Sequence, residues 1–149
     1  MNNDTILQPL PNMPYLHITL DKANTNVAEK SLVLSQQIVS DTLVLRHAAV
    51  HTEDVVTFAN RNMYIDLGFA AKKVQEIAPV ELASRSLVIP LTVGANTTQI
   101  NMDLDIGLRR SRIPTSFRSL VFDGTGAKYD MGNDWEVHLY FEYSQKSLF

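Results

Sequence analysis

A chain of 149 residues with 45% hydrophobic and 19% charged side chains has the size and composition of one globular domain with a single packed core. Its formal net charge of -3 argues against a protein whose main task is neutralising phosphates, because such domains carry a marked basic excess. The absence of cysteine removes disulfide scaffolds, thiolate catalysis and cysteine-ligated zinc or iron–sulfur centres, and it suits a reducing compartment.

The opening Met1-Asn2-Asn3-Asp4-Thr5 has neither the basic start nor the apolar run of a secretory signal. No stretch reaches the roughly 18 apolar residues of a membrane span. The expectation is a soluble protein made in the cytosol, in which the Asn-x-Ser/Thr matches at Asn3 and Asn96 carry no glycosylation meaning. Residues 1–14 hold Pro9, Pro11 and Pro14 among polar residues. Proline at that density fixes an extended backbone and removes hydrogen-bond donors, so 1–14 is expected to be an extended arm and 15–149 a single β-sandwich domain.

Tyr15 to Leu20 alternates, with Leu16, Ile18 and Leu20 on one side and Tyr15, His17 and Thr19 on the other, which is a strand pattern. Val27 to Val39 fits neither period cleanly and is read as strand. Thr42 to Val50 is an apolar, partly β-branched run around Leu43, Val44 and Leu45, and Val55 to Phe58 is a short extended piece. Met63, Ile65 and Leu67 alternate with Tyr64 and Asp66 in a half-buried strand ending at Gly68. Phe69 to Ile77 carries good helix formers, among them Ala70, Ala71, Lys72, Lys73, Gln75 and Glu76, and stops before Pro79, so it is predicted to be a short helix.

Ser86 to Val93 is an apolar run interrupted by Pro90, which favours an edge strand or a bulge. Ile100, Met102, Leu104, Ile106 and Leu108 alternate with Asn101, Asp103, Asp105 and Gly107. Phe117 to Phe122 is a further strand, closed by the turn residues Asp123-Gly124-Thr125-Gly126. The last strand sets Trp135, Val137, Leu139, Phe141 and Tyr143 against Glu136, His138, Tyr140 and Glu142. The sum is an all-β chain of about eight antiparallel strands and one short helix, the pattern of a β-sandwich of jelly-roll type.

Four patterns could carry chemistry. His47 and His51, followed by Glu53 and Asp54, could ligate a divalent metal, but they run from a strand into a loop and read as ordinary surface histidines. Asp103 and Asp105 point the same way from one strand and could share a cation or a proton, yet they are also the solvent positions of an alternating strand. Asp123 to Asp134 gathers Asp123, Asp130, Asn133 and Asp134 with glycines, a calcium-like composition without the helix-loop-helix spacing, and hairpin turn residues explain it better. Arg109, Arg110, Arg112 and Arg118 place four of the 13 basic residues within ten positions. Guanidinium groups placed so could hold phosphates, acidic glycans or carboxylates of another subunit; no aromatic ladder interleaves them to stack bases, so subunit contact is the preferred functional reading, beside a plain solvated loop.

No Gly-x-Ser-x-Gly elbow, phosphate loop or dinucleotide glycine pattern occurs. The expectation is a non-enzymatic protein with no cofactor, no catalytic residue and no metal site.

The arm, the opening strand Tyr15-Leu16-His17-Ile18-Thr19-Leu20, the core of short strands and the aromatic closing strand Trp135 to Tyr143 resemble the small single jelly-roll capsid proteins of tailless icosahedral double-stranded-DNA viruses. That resemblance implies a penton or minor capsid subunit. It implies a homo-oligomer, with a pentamer among the states, contacts to neighbouring capsid proteins, and a virion location after synthesis in host cytoplasm. It brings no catalytic motif to carry over and no specific nucleic-acid contact. The alternative function is a glycan- or receptor-binding sandwich using Tyr15, Tyr64 or Tyr140 as a platform, and a third class, ranked below it, is an enzyme with a site dispersed over scattered serines and the four histidines.

Overall fold

The computed structural model describes residues 15–22, 30–31, 38–40, 42–70, 87–108, 110, 112–113, 116–117, 119–131 and 133–143. The expected arm, residues 1–14, and residues 71–77 of the expected helix lie outside these.

The alternating segments at the two ends of the described chain form β1 (Tyr15–Asp21) and β11 (Trp135–Glu142), and they pair with each other antiparallel, Leu16 opposite Phe141 and Leu20 opposite Val137. Between them run β2 (Lys30–Ser31), β3 (Ile38–Val39), β4 (Val44–Thr52), β5 (Asn62–Leu67), β6 (Leu87–Pro90), β7 (Thr97–Asp105), β8 (Arg112–Ile113), β9 (Ser116–Phe117) and β10 (Ser119–Phe122). One sheet has the order β1-β11-β4-β7 and a second has β10-β5-β6, with the short ladders β2-β9 and β3-β8 continuing the run 112–122.

Taking β2 with β3, and β8 with β9 and β10, as interrupted strands gives eight positions along the chain. The first pairs with the eighth, the second with the seventh, the third with the sixth and the fourth with the fifth. This nested antiparallel pairing, with β5 and β6 alone adjacent in sequence, is the winding of a jelly roll. Pro90 closes β6 at the edge of its sheet, where a missing N–H costs no ladder bond.

The sequence pattern breaks in β4 for a structural reason. The register against β11 shifts between Tyr140 and Phe141, where Arg46 is the extra residue of a β-bulge, and against β7 it shifts between Leu45 and His47, where Met102 and Asp103 lie across from Arg46. Leu45 and Ala48 are both buried, whereas Arg46 and His47 are both half-buried on the outer side. The bulge inverts the alternation, and His47 and His51 thereby both lie on the outer face.

The two sheets meet in one cluster. Leu16, Ile18 and Leu20 of β1, Val137, Leu139 and Phe141 of β11, and Met63, Ile65 and Leu67 of β5 all belong to it. Tyr129, from the segment joining β10 to β11, is fully buried; its ring meets Trp135 edge-on at 5.5 Å and its hydroxyl donates to Asn60 O at 3.0 Å.

Two expected elements differ. Phe69 lies in a turn and Ala70 in an isolated antiparallel bridge with Leu108, so no helix begins at Phe69. The Phe69 ring is buried edge-on against Phe117 at 4.8 Å, a tertiary contact at the residue where the helix was expected to start. Val55 to Phe58 is no strand. Val56 is bonded to the turn around Gly94, and Phe58–Asn60 form one turn of 3-10 helix with Phe58 exposed beneath the Arg61 guanidinium.

Leu139 is fully buried, with Ile18 opposite it on β1 and Ala48 opposite it on β4. Leu139→Ala is expected to cost about 2–5 kcal/mol in urea unfolding, and Leu139→Asp to leave no folded protein, since a buried carboxylate there has no partner. A soluble, cooperatively unfolding Leu139→Asp protein would refute the facing of β11.

Burial, with Asp123 nearby, pushes the Tyr129 hydroxyl up to about 12. An acid whose folded value is raised stabilises the fold fully below its ordinary value of about 10 and loses that contribution as pH rises from there toward 12. Ultraviolet titration should therefore show a late tyrosine step that Tyr129→Phe removes.

Candidate functional site

The outward positions of the four-stranded sheet collect all four histidines of the chain. β1 presents Tyr15, His17 and Thr19, β11 presents Glu136, His138, Tyr140 and Glu142, and β4 presents His47 and His51. Register places His17 opposite Tyr140, Thr19 opposite His138, and His47 opposite Tyr140 on its other flank.

The rings stack across the strands. His17 lies over Tyr140 at 4.4 Å with 10° between planes, and beside His138 at 5.1 Å. His17 Nε2 and His138 Nδ1 are 2.9 Å apart, and the Thr19 hydroxyl is 3.2 Å from the first and 3.3 Å from the second. Glu136 Oε1 lies 3.2 Å from His138 Nε2. Partial burial, reinforced by His138, lowers the His17 pKa below the ordinary imidazole value.

His47 and His51 do not converge with Glu53 and Asp54. His47 Nδ1 is 2.7 Å from Asn101 Oδ1, and His51 Nδ1 is 3.3 Å from Thr97 Oγ1. Among the described residues no three His, Cys, Asp or Glu side chains are grouped to hold a metal.

Asp103 and Asp105 are divided in the same way. Asp103 pairs with Arg46, whose guanidinium also holds Glu142 at 2.6 Å, while Asp105 accepts the Gly107 N–H at 2.9 Å. Hydrogen bonds to the two carboxylates raise the Arg46 pKa. In the loop after β10, Asp123 Oδ1 accepts the Thr125 and Ala127 N–H groups, Asp130 pairs with Lys22 at 3.4 Å, and Asn133 donates to Asp54 at 2.7 Å. Its carboxylates serve turns and loop contacts.

Of the arginine group, Arg110 and Arg112 are exposed, and Arg109 and Arg118 lie outside the described residues. At the opposite end of β7, a cleft of about 340 Å³ is lined by Asp21, His51, Glu53, Asp134 and Glu136 together with Lys22. The ends are opposite because β7 starts with Thr97 beside His51 and finishes with Asp105 beside Val44.

The His17–His138 pair escaped sequence reading. Its members are 121 positions apart, and only the pairing of the first strand with the last unites them. The available signal was that both sit at polar positions of alternating strands.

No helix among the described residues is long and apolar enough to cross a membrane. No family model matches the chain, and no curated protein matches it. Among solved structures, a chain from the X-ray structure of tomato aspermy virus is similar at 13% identity, covering 90% of this chain and 79% of that chain with a TM-score of 0.30.

Proposed function

We propose that this chain is a structural virion protein, a penton or minor capsid subunit, that assembles through its arm and the surfaces of its β-sandwich. The observation that supports this reading is the nested jelly-roll pairing, with four carboxylates around a cleft at one end and exposed arginines beyond the other. Asp21, Glu53, Asp134 and Glu136 surround the cleft at one end, and exposed Arg110 and Arg112 follow the other end of β7. A contact joining unlike ends of two copies matches these charges, and such a heterologous contact closes into a ring when its rotation allows, as in a pentamer. In this reading the partners are further copies and neighbouring capsid proteins, the location is the virion, and the protein catalyses nothing.

A second reading, a glycan- or receptor-binding sandwich, is favoured by one observation. Tyr15, 68% exposed, shares the outer face of the sheet with the half-buried Tyr140 ring, and sugar rings stack on such faces.

Native mass spectrometry and sedimentation should give a discrete homo-oligomer at micromolar concentration that dissociates as salt screens the end-to-end contact. Arg110→Glu with Arg112→Glu should yield a monomer with unchanged far-UV circular dichroism. A wild-type chain that stays monomeric in low salt up to millimolar concentration overturns the assembly reading. Saturable binding of that monomer on a glycan array puts the second reading in its place.

A further inference from the structure

The outer face of the four-stranded sheet aims two imidazole nitrogens at one point, and the proton between them is replaceable. Ionised Glu136 only accepts hydrogen bonds, so neutral His138 donates to it through Nε2 and keeps its Nδ1 lone pair free to face His17. His17 Nε2, 2.9 Å away, then carries the bridging hydrogen. Moving that hydrogen to His17 Nδ1, a change of tautomer without change of charge, leaves two nitrogen lone pairs converging beside the Thr19 hydroxyl.

The separation, set here by a hydrogen bond, is also one that a cation can bridge with little movement of the rings. With metal–nitrogen bonds of about 2.0–2.1 Å, adjacent corners of a square lie about 2.9 Å apart and those of a tetrahedron about 3.4 Å. The observed 2.9 Å fits the square or tetragonal arrangement, the preference of copper(II) and nickel(II).

The supports of a metal site are in place. Glu136 on the far nitrogen of His138 fixes its tautomer and raises its basicity, as carboxylates do behind metal-bound histidines. The Tyr140 ring, stacked on His17 at 4.4 Å, limits how that imidazole can turn. His47 and His51 are engaged with Asn101 and Thr97 and take no part.

We propose that His17 and His138, with Thr19 beside them, form a binding site for a nitrogen-preferring divalent transition-metal cation, copper(II) foremost, that bridges β1 and β11. Two protein nitrogens leave the remaining positions to the Thr19 oxygen and to water. Because β1 is an edge strand held within its sheet by β11 alone, the bound cation ties that edge down. The inference stands apart from the assembly reading and survives its failure.

The test is titration of the full chain with copper(II), then nickel(II), in a non-coordinating buffer, followed by calorimetry, thermal unfolding and electron paramagnetic resonance. The expected result is one copper per chain, a spectrum with splitting from two nitrogens, a raised Tm, and weaker binding of nickel, following the usual order of these metals. His17→Gln and His138→Gln should each remove the two-nitrogen spectrum and weaken copper by roughly tenfold or more, and Glu136→Gln by a similar factor. His47→Gln and His51→Gln should change neither. The wild-type spectrum reads the ligands directly, so the test holds even if a variant folds poorly. Absence of copper binding at micromolar concentration, a one-nitrogen spectrum, or equal losses across all four histidine variants overturns the site.

Discussion

The register of β11 between β1 and β4 is the constraint on which the rest of the molecule depends. The strand is hydrogen-bonded on both sides, and Trp135, Val137, Leu139 and Phe141 are at most 2% exposed. A slip of one residue against either neighbour would turn Glu136, His138, Tyr140 and Glu142 inward and expose those four. Burying side chains of this size contributes on the order of 1.5–3 kcal/mol each, whereas a stacked ring pair on the outer face returns about 0.5–1.5. The core therefore sets the register. The ring stack on the other face is its consequence, held in place by a force that acts on the opposite side of the sheet.

The bulge at Arg46 is the second decision, and it belongs to the same sheet. Without the extra residue, strict alternation from Leu45 would point His47 into the core. With it, Arg46 and His47 both reach the outer face, and Arg46 spans from Asp103 on β7 to Glu142 on β11. An ion pair this exposed contributes little to stability, so its role is geometric. It joins three strands at the one place where the ladder is irregular, and it leaves His47 within 5.7 Å of Tyr140.

What the sequence disclosed follows from these two facts. β1, β5 and β11 carry no extra residue of their own, and their alternation reads directly as buried against exposed. β4 was legible as a strand but not as a pattern, because a bulge inverts parity and no residue at Leu45-Arg46-His47 announces it. Phe69, the expected start of a helix, lies in a turn with its ring against Phe117, a long-range contact that no local window contains. The same logic governs the candidate site. His47 and His51 are neighbours in sequence and have separate partners in space, while His17 and His138 are distant in sequence and touch. Jelly-roll winding pairs the first strand with the last, so sites that join its two ends stay hidden until the order of strands is known.

The fold by itself assigns no function, since sandwiches of this winding serve many. What distinguishes this one is how its sheet edges are treated. Along β7, one edge of the four-stranded sheet, Ile100 and Met102 are only partly buried and Leu104 is 37% exposed, but Asp103 and Asp105 stand between and beside them. Charge on an exposed edge discourages indiscriminate strand addition. The opposite edge, β1, carries Tyr15, His17 and Thr19 over most of its outward length. Apart from Asp21 at its end, its charge is conditional, because the His17 imidazole acquires one by taking up a proton or a cation at the point where His138 already waits. Occupancy of that point therefore gives the less guarded edge a positive charge, and it places control of strand β1 in the pair of histidines that the core-driven register brought together.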